Sequence, residues 1–296
     1  MDFGSDDQDD PRHHRSASDH LMNTYTLRLA TGHQATYLCS TDSSVDPNLA
    51  CLVLLHGASH NGHVLAPLLT QFAPPHHEGF NVIAPNLPGR LNSEGEPCAT
   101  AAEAAAWLAQ LMEALGIDNV VVAGHSFGGA IALEAALQAA QGATRWTTRL
   151  KGLALMATGA RLRVHPAILA GAQQAVERGE PVYNSALVFG PDSDPERIAA
   201  YNRAIALTPP TTTWADWKAC NRFDRLHQLA SVGIPTHVFA GSDDPLTPLK
   251  YAQRLADDIE GATLTTCQGG HMFLVEQATE VADLLRERFA GLTHPT

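Results

Sequence analysis

The sequence lacks any apolar run approaching the ~20 residues of a membrane-spanning helix. It also lacks an excess of positive charge. Its 19 Lys and Arg face 31 Asp and Glu, for a formal net charge of −12. Nothing in that balance attracts a phosphate backbone, so nucleic acid is not an expected partner. The first twenty residues, MDFGSDDQDDPRHHRSASDH, have no apolar h-region and do not read as a secretory signal. Their six acids and two bases are the composition of a disordered acidic tail over 1–20, and His13 and His14 are given no role there. Cysteine is scarce and scattered: Cys39, Cys51, Cys98, Cys220 and Cys267, odd in number and without C-x-x-C spacing. That excludes a disulfide framework and predicts buried free thiols in a reducing, cytoplasmic setting. There is no internal repeat.

What is present is a chain of 296 residues that is 45% apolar, enough for a sizeable core in one large α/β domain or two small ones. TYTLRLA (24–30) and ATYLCS (35–40) read as two strands joined by a tight turn. ACLVLLHG (50–57), FNVIAPNLPG (80–89), NVVVAG (119–124) and LKGLALMAT (150–158) read as strands buried on both faces. TAAEAAAWLAQLMEALG (100–116) is a strong helix with Gly116 as its stop. From Gly159 to about Val232 the alternation gives way to helical segments alone: HPAILAGAQQAVERG, DPERIAAYNRAIAL and WADWKACNRFDRLHQLA. The strand–helix rhythm then resumes through IPTHVFAGSDD, PLKYAQRLADDI, ATLTTCQGGH and LVEQATEVADLLRERF. Strands alternating with helices predict a mostly parallel sheet covered on both faces, with the first two strands as an antiparallel edge.

One stretch stands out for chemistry. GHSFGG (124–129) sets a serine between a buried strand and an Ala/Leu-rich helix, AIALEAALQAA. This is the G-x-S-x-G nucleophile elbow, in which the glycines spare a sharp turn from collisions with neighbouring backbone. A serine hydroxyl needs a base, a group to orient that base, and donors for an oxyanion. In parallel sheets such groups gather at the carboxyl ends of strands. HVFAGSDDPLTP supplies Asp243 and Asp244 after one strand, and LTTCQGGHMF supplies His271 after the next. Ser126, Asp244 and His271 are therefore the candidate catalytic triad, with Asp244 preferred over Asp243. The oxyanion donors are predicted as the backbone N–H groups of Phe127, which follows the nucleophile, and of Ala58 in LLHGASHNGH, with Ser59 as second choice. His56, His60 and His63 have no carboxylate among them and are read as a loop support and two exposed residues, so no metal is expected.

LLHGAS, GHSFGG, GSDDPLTP and GGHMFLVEQ, in that order, resemble the α/β-hydrolase family over about residues 24–290. NLPGRLNSEGEP (86–97) resembles the family's D-x-P-G-x-G-x-S turn, with Asn86 in place of the aspartate and Arg90–Leu91 where a glycine is common. The resemblance implies an α/β-hydrolase fold: a mostly parallel eight-stranded sheet flanked by helices, with a helical cap inserted after the sixth strand. The core is then 21–158 and 233–296, and the cap 159–232. Ser59, Trp214, Trp217 and Met272 are the expected substrate-pocket residues, and Arg222 with Asp224 a hinge or local ion pair. The resemblance further implies a serine esterase acting on a small or medium carboxylic ester, without cofactor. Carbon–carbon bond or enol-lactone hydrolysis by the same triad, or ligand binding without catalysis, are the alternatives. No oligomeric state is implied.

Overall fold

The computed structural model describes residues 24–41, 45–74, 79–142, 146–190 and 192–293, so the expected acidic tail lies outside the described residues. Strands β1 (Thr24–Arg28) and β2 (Gln34–Cys39) form an antiparallel hairpin. Three strand–helix units follow: β3 (Cys51–Leu55) with the short α1 (Ala66–Leu69), β4 (Asn81–Asn86) with α2 (Ala101–Ala114), and β5 (Val120–His125) with α3 (Phe127–Ala140). After β6 (Leu150–Met156) the described residues form four helices with no named strand between them: α4 (Pro166–Arg178), α5 (Ser185–Val188), α6 (Pro195–Ile205) and α7 (Pro210–Arg222). The alternation returns with β7 (Thr236–Gly241), α8 (Leu249–Asp258), β8 (Thr263–Cys267), α9 (Phe273–Glu276) and α10 (Ala278–Thr293).

The eight strands form one sheet in the order β1-β2-β4-β3-β5-β6-β7-β8. β2 pairs antiparallel with both β1 and β4, and every other pairing is parallel. Because side chains alternate along a strand, β3 feeds two cores. Cys51, Val53 and Leu55 pack on one face with Leu108, Ile131 and Leu255. Leu52 and Leu54 pack on the other with Leu68, Val281 and Phe289. Burial on both faces is why β3, β4 and β5 read as continuous apolar runs.

Local signals set the helix limits. Thr100 Oγ1 accepts from the Glu103 N–H at 3.1 Å, and the Glu103 carboxylate accepts from Ala99 N–H, a reciprocal cap at the start of α2. Proline at the first turn begins α4, α6 and α7. The helix expected over 214–230 stops at Arg222. There the chain turns extended at Phe223, and the Leu162 N–H bonds Phe223 O while the Arg225 N–H bonds Ala160 O. This antiparallel clasp closes the two ends of the helical segment. Asp224 lies 3.8 Å from both Arg161 and Arg163, which replace Arg222 as its partners. The single helix expected over 274–289 is two, because Gln277 leaves helical backbone angles. Among the described residues no helix is long and apolar enough to cross a membrane.

Candidate active site

Ser126 sits between the end of β5 and the first residue of α3 at φ 55 and ψ −116. Such backbone costs a residue with a side chain roughly 1–3 kcal/mol and persists only where its surroundings over-determine it. Here they do. The Ser126 N–H bonds Met156 O at 2.9 Å, and its carbonyl accepts from the Thr158 hydroxyl at 2.7 Å and from the Gly129 and Ala130 N–H groups. The turn also requires bare backbone at two positions. A Cβ on Gly124 would lie 2.2 Å from Gly128 O, and a Cβ on Gly128 would lie 2.2 Å from Leu55 O. Elbow, helix and the strand β3 therefore touch through main chain alone.

Asp244 and His271 lie on the loops after β7 and β8, adjacent parallel strands, so 27 residues of chain separate two groups that meet. His271 Nδ1 is 2.7 Å from Asp244 Oδ2, and both side chains are buried. The second carboxylate oxygen accepts the N–H groups of Leu246 and Thr247 at 2.8 and 3.0 Å. Thr247 Oγ1 donates to Oδ2 at 2.6 Å and lies 3.3 Å from His271 Nδ1. Burial pushes the Asp244 pKa up. The opposing charge of His271 and the hydrogen bonds from His271 and Thr247 outweigh it and hold the carboxyl well below its ordinary value. Asp243 is exposed and accepts from the Ser242 hydroxyl instead. Thr247 escaped sequence reasoning, although a threonine three residues after an aspartate in DDPLT is a turn-capping spacing.

With Nδ1 turned to Asp244, His271 has Nε2 left for other work. His271 and Ser126 both line a cavity of about 190 Å³. Its walls include Leu162, Val164, Ile168 and Trp217 from the helical segment and Leu246 from the Asp244 loop. Cys220 also lines it, but burial, and then the charge of Asp216, keep its thiol well above its ordinary pKa and so protonated.

The loop after β3 carries the other expected donor. A Cβ on Gly57 would lie 3.1 Å from Ser126 Cβ, so this loop passes directly beside the serine. Among the described residues the N–H groups of Ala58 and Phe127 donate no hydrogen bond within the chain. Ser59, at φ 62, is different: its N–H donates to Asp216 Oδ2 at 2.9 Å and its buried side chain does not reach the cavity. Trp217 lines the cavity, whereas two others of the expected pocket residues do not. Met272 is fully buried in the core beneath the sheet's second face, with its N–H on Val188 O. Trp214 packs against the first core and carries Lys218 over its ring.

The histidines of this region serve the loops. His56 is buried, its Nδ1 on Gly57 O at 2.9 Å and its Nε2 accepting from the Leu87 N–H. His60, expected to be exposed, is buried because α6 covers it: Tyr201 OH donates to Asn184 and accepts from His60 Nε2 at 2.8 Å. His63 is half-buried. His125, next to the serine, donates from Nε2 to the His271 carbonyl at 2.9 Å and stacks on His60. Burial, with a contribution from nearby His271, lowers its pKa to about 3. His56 and His60 are lowered well below the ordinary value, again chiefly by burial.

Asn86, which stands where the resembling family has an aspartate, accepts the Gly62 N–H at 2.8 Å and donates to Thr36. Its Oδ1 ties the loop after β3 to the end of β4, while Arg90 four residues later is buried against α7.

The chain is 27% identical over 263 residues to a poly(3-hydroxyalkanoate) depolymerase of Ectopseudomonas oleovorans, covering 84% of this chain and 89% of that one. It superposes on a hydrolase of Pseudomonas aeruginosa with a TM-score of 0.76 at 22% identity, covering 90% of this chain and 98% of that one. A thermophilic esterase of Thermogutta terrifontis gives 0.74 at 22% identity, covering 92% and 100%. The model of the alpha/beta hydrolase family matches residues 52–284, and with the eight-stranded sheet this establishes that the chain belongs to that family.

Proposed function

We propose that this hydrolase-family protein is a serine esterase, cleaving small or medium carboxylic esters through an acyl-enzyme on Ser126. The observation that carries the reading is the 2.7 Å pairing of His271 Nδ1 with Asp244 beside a cavity that Ser126 also lines. A carboxylate on Nδ1 holds the proton there, so Nε2 is the nitrogen with a free lone pair. His271 takes the hydroxyl proton as Ser126 Oγ attacks the acyl carbon. The carbonyl oxygen becomes an oxyanion held by the Ala58 and Phe127 N–H groups, and the N-terminus of α3 adds its partial positive charge. His271 then gives the proton to the departing alcohol. Water, deprotonated by the same imidazole, attacks the acyl carbonyl, and Ser126 leaves with its proton restored. These steps use the side chains named and water alone.

Residues 159–232 act as a cap over the core of 21–158 and 233–296, and the cap's contribution of Leu162, Ile168 and Trp217 to the cavity wall supports this role. Cavity size supports a small acyl group. An apolar cavity of about 150 Å³ holds a benzene ring, so ~190 Å³ suits a benzoyl or short aliphatic acyl group. The depolymerase relative is named for a polyester, which supports ester chemistry over other hydrolyses. A turnover panel of nitrophenyl esters and vinylogous diketones tests the reading. Rapid cleavage of short-chain esters, lost in Ser126→Ala, is expected. Turnover of the diketones without ester cleavage would overturn it in favour of carbon–carbon bond hydrolysis.

A further inference from the structure

A buried ion pair links the turn after β4 to α7. Arg90 and Asp216, with side chains 1% and 2% exposed, make two parallel bonds: NH1 to Oδ2 and NH2 to Oδ1, each 2.9 Å. The pair does more than brace two elements, because each member also grips the backbone of the loop that carries Ala58. Asp216 Oδ2 accepts the Ser59 N–H at 2.9 Å, and Arg90 NH1 donates to the His60 carbonyl at 2.8 Å. One N–H and one C=O of adjacent residues are thus held by a carboxylate and a guanidinium that are themselves locked together. Between them lies Ser59 at φ 62, a conformation that a side chain disfavours and that a free loop would relax.

We propose that Asp216 and Arg90 are positioning residues for oxyanion stabilisation: by holding Ser59 N–H and His60 C=O they fix the loop segment immediately after Ala58, and so the orientation of the Ala58 N–H toward the reacting carbonyl. The inference rests on the serine-hydrolase reading above. It assigns a kinetic role to two side chains that are not themselves part of the cavity lining. It also accounts for the departure at Arg90 from the family-like turn, since a small residue there has no reach to Asp216. Because Asp216 belongs to α7, the helical segment completes the oxyanion hole as well as walling the cavity.

Removing one partner alone strands a buried charge and destabilises the fold, so single variants cannot separate the two roles. Two neutral pairs can. R90M/D216L replaces the ion pair by apolar groups of similar size, an exchange that is often neutral for stability. R90M/D216N is equally uncharged but keeps an amide oxygen for the Ser59 N–H. The readout is the rate at which a fluorophosphonate modifies Ser126: the Oγ–P bond forms, fluoride leaves, the hydroxyl proton passes to His271, and the phosphoryl oxygen occupies the oxyanion hole. R90M/D216L is expected to lose about 100-fold in this rate, the scale for misplacing a reacting group, and to lose kcat for ester cleavage with KM little changed. R90M/D216N is expected to recover at least about tenfold of that loss, the scale of one restored hydrogen bond.

A folded R90M/D216L that reacts at the wild-type rate would overturn the proposal and leave the pair a structural brace. Equal labelling of wild type and Ser126→Ala would instead overturn the serine reading. Amide hydrogen exchange on the wild-type protein gives an answer that needs no variant. Ser59 is expected to exchange slowly in the free protein, and Ala58 to gain protection only in the phosphonyl adduct. A Ser59 amide exchanging as fast as an exposed loop amide would overturn the proposal.

Discussion

Replacing Asp244 by Asn changes one atom and should silence the protein without unfolding it. In the native site Oδ1 accepts two backbone N–H groups, from Leu246 and Thr247, while Oδ2 faces the Thr247 hydroxyl and His271 Nδ1. Asparagine must keep its oxygen on the two fixed backbone donors. Its NH2 then occupies the Oδ2 position and donates to His271 Nδ1. The imidazole is driven to the tautomer with its proton on Nε2, where it can no longer accept from Ser126. A wrong tautomer in a serine triad lowers kcat by about 10,000-fold, which is about 5 kcal/mol of lost transition-state stabilisation. KM should move little, because no substrate contact is altered. The assay is steady-state hydrolysis of a short-chain nitrophenyl ester, with thermal unfolding followed in parallel. An Asp244→Asn protein that keeps kcat within tenfold of wild type would refute the assignment of Asp244 as the group that orients His271.

Three further outcomes follow from the same structure. His56, His60 and His125 are buried and held neutral, His125 down to about 3, whereas an unfolded histidine titrates near 6.5. Their folded values are depressed, so the unfolded chain binds protons first as pH falls. Stability is nearly full at pH 7.5 and is lost as pH falls through about 6.5, by up to about 4 kcal/mol between pH 7.5 and 5.5 for three such groups. Urea titrations at the two pH values check this, and equal midpoints would contradict it. Ser126→Gly should abolish ester cleavage yet raise stability by about 1 kcal/mol, because glycine relieves the strain at φ 55; a lower melting temperature would argue against strain at the elbow. Trp217→Ala removes a wall of the cavity and should shift the kcat/KM preference from butanoyl toward octanoyl esters. An unchanged chain-length profile would place the acyl group elsewhere.

Much of the candidate site was legible in the sequence because its rules are local. The elbow needs small residues where backbone meets backbone, and a Cβ at Gly124 or Gly128 would lie only 2.2 Å from a backbone oxygen. Asp244 and His271 follow strands directly, and parallel neighbours bring such loop positions together. Alternating burial across β3 explains why the central strands were recognisable as apolar runs. What remained hidden depends on how distant elements dock. The Arg90–Asp216 contact joins residues 126 apart, and nothing near either one announces the other. The burial of His60 follows from α6 laying Tyr201 over it, and the loss of Ser59 as a donor follows from Asp216 arriving first. Met272, although beside His271 in sequence, packs in the second core at the start of α9. Periodicity carries no record of such encounters.

In the proposed mechanism His271 makes Ser126 nucleophilic. Peptide mapping by mass spectrometry after fluorophosphonate treatment tests it most directly, run on wild type and on His271→Ala. A phosphonyl adduct is expected on the peptide containing Ser126 in the wild type, with at most trace labelling when the imidazole is gone. An unmodified Ser126, or equal modification in the two proteins, would contradict it.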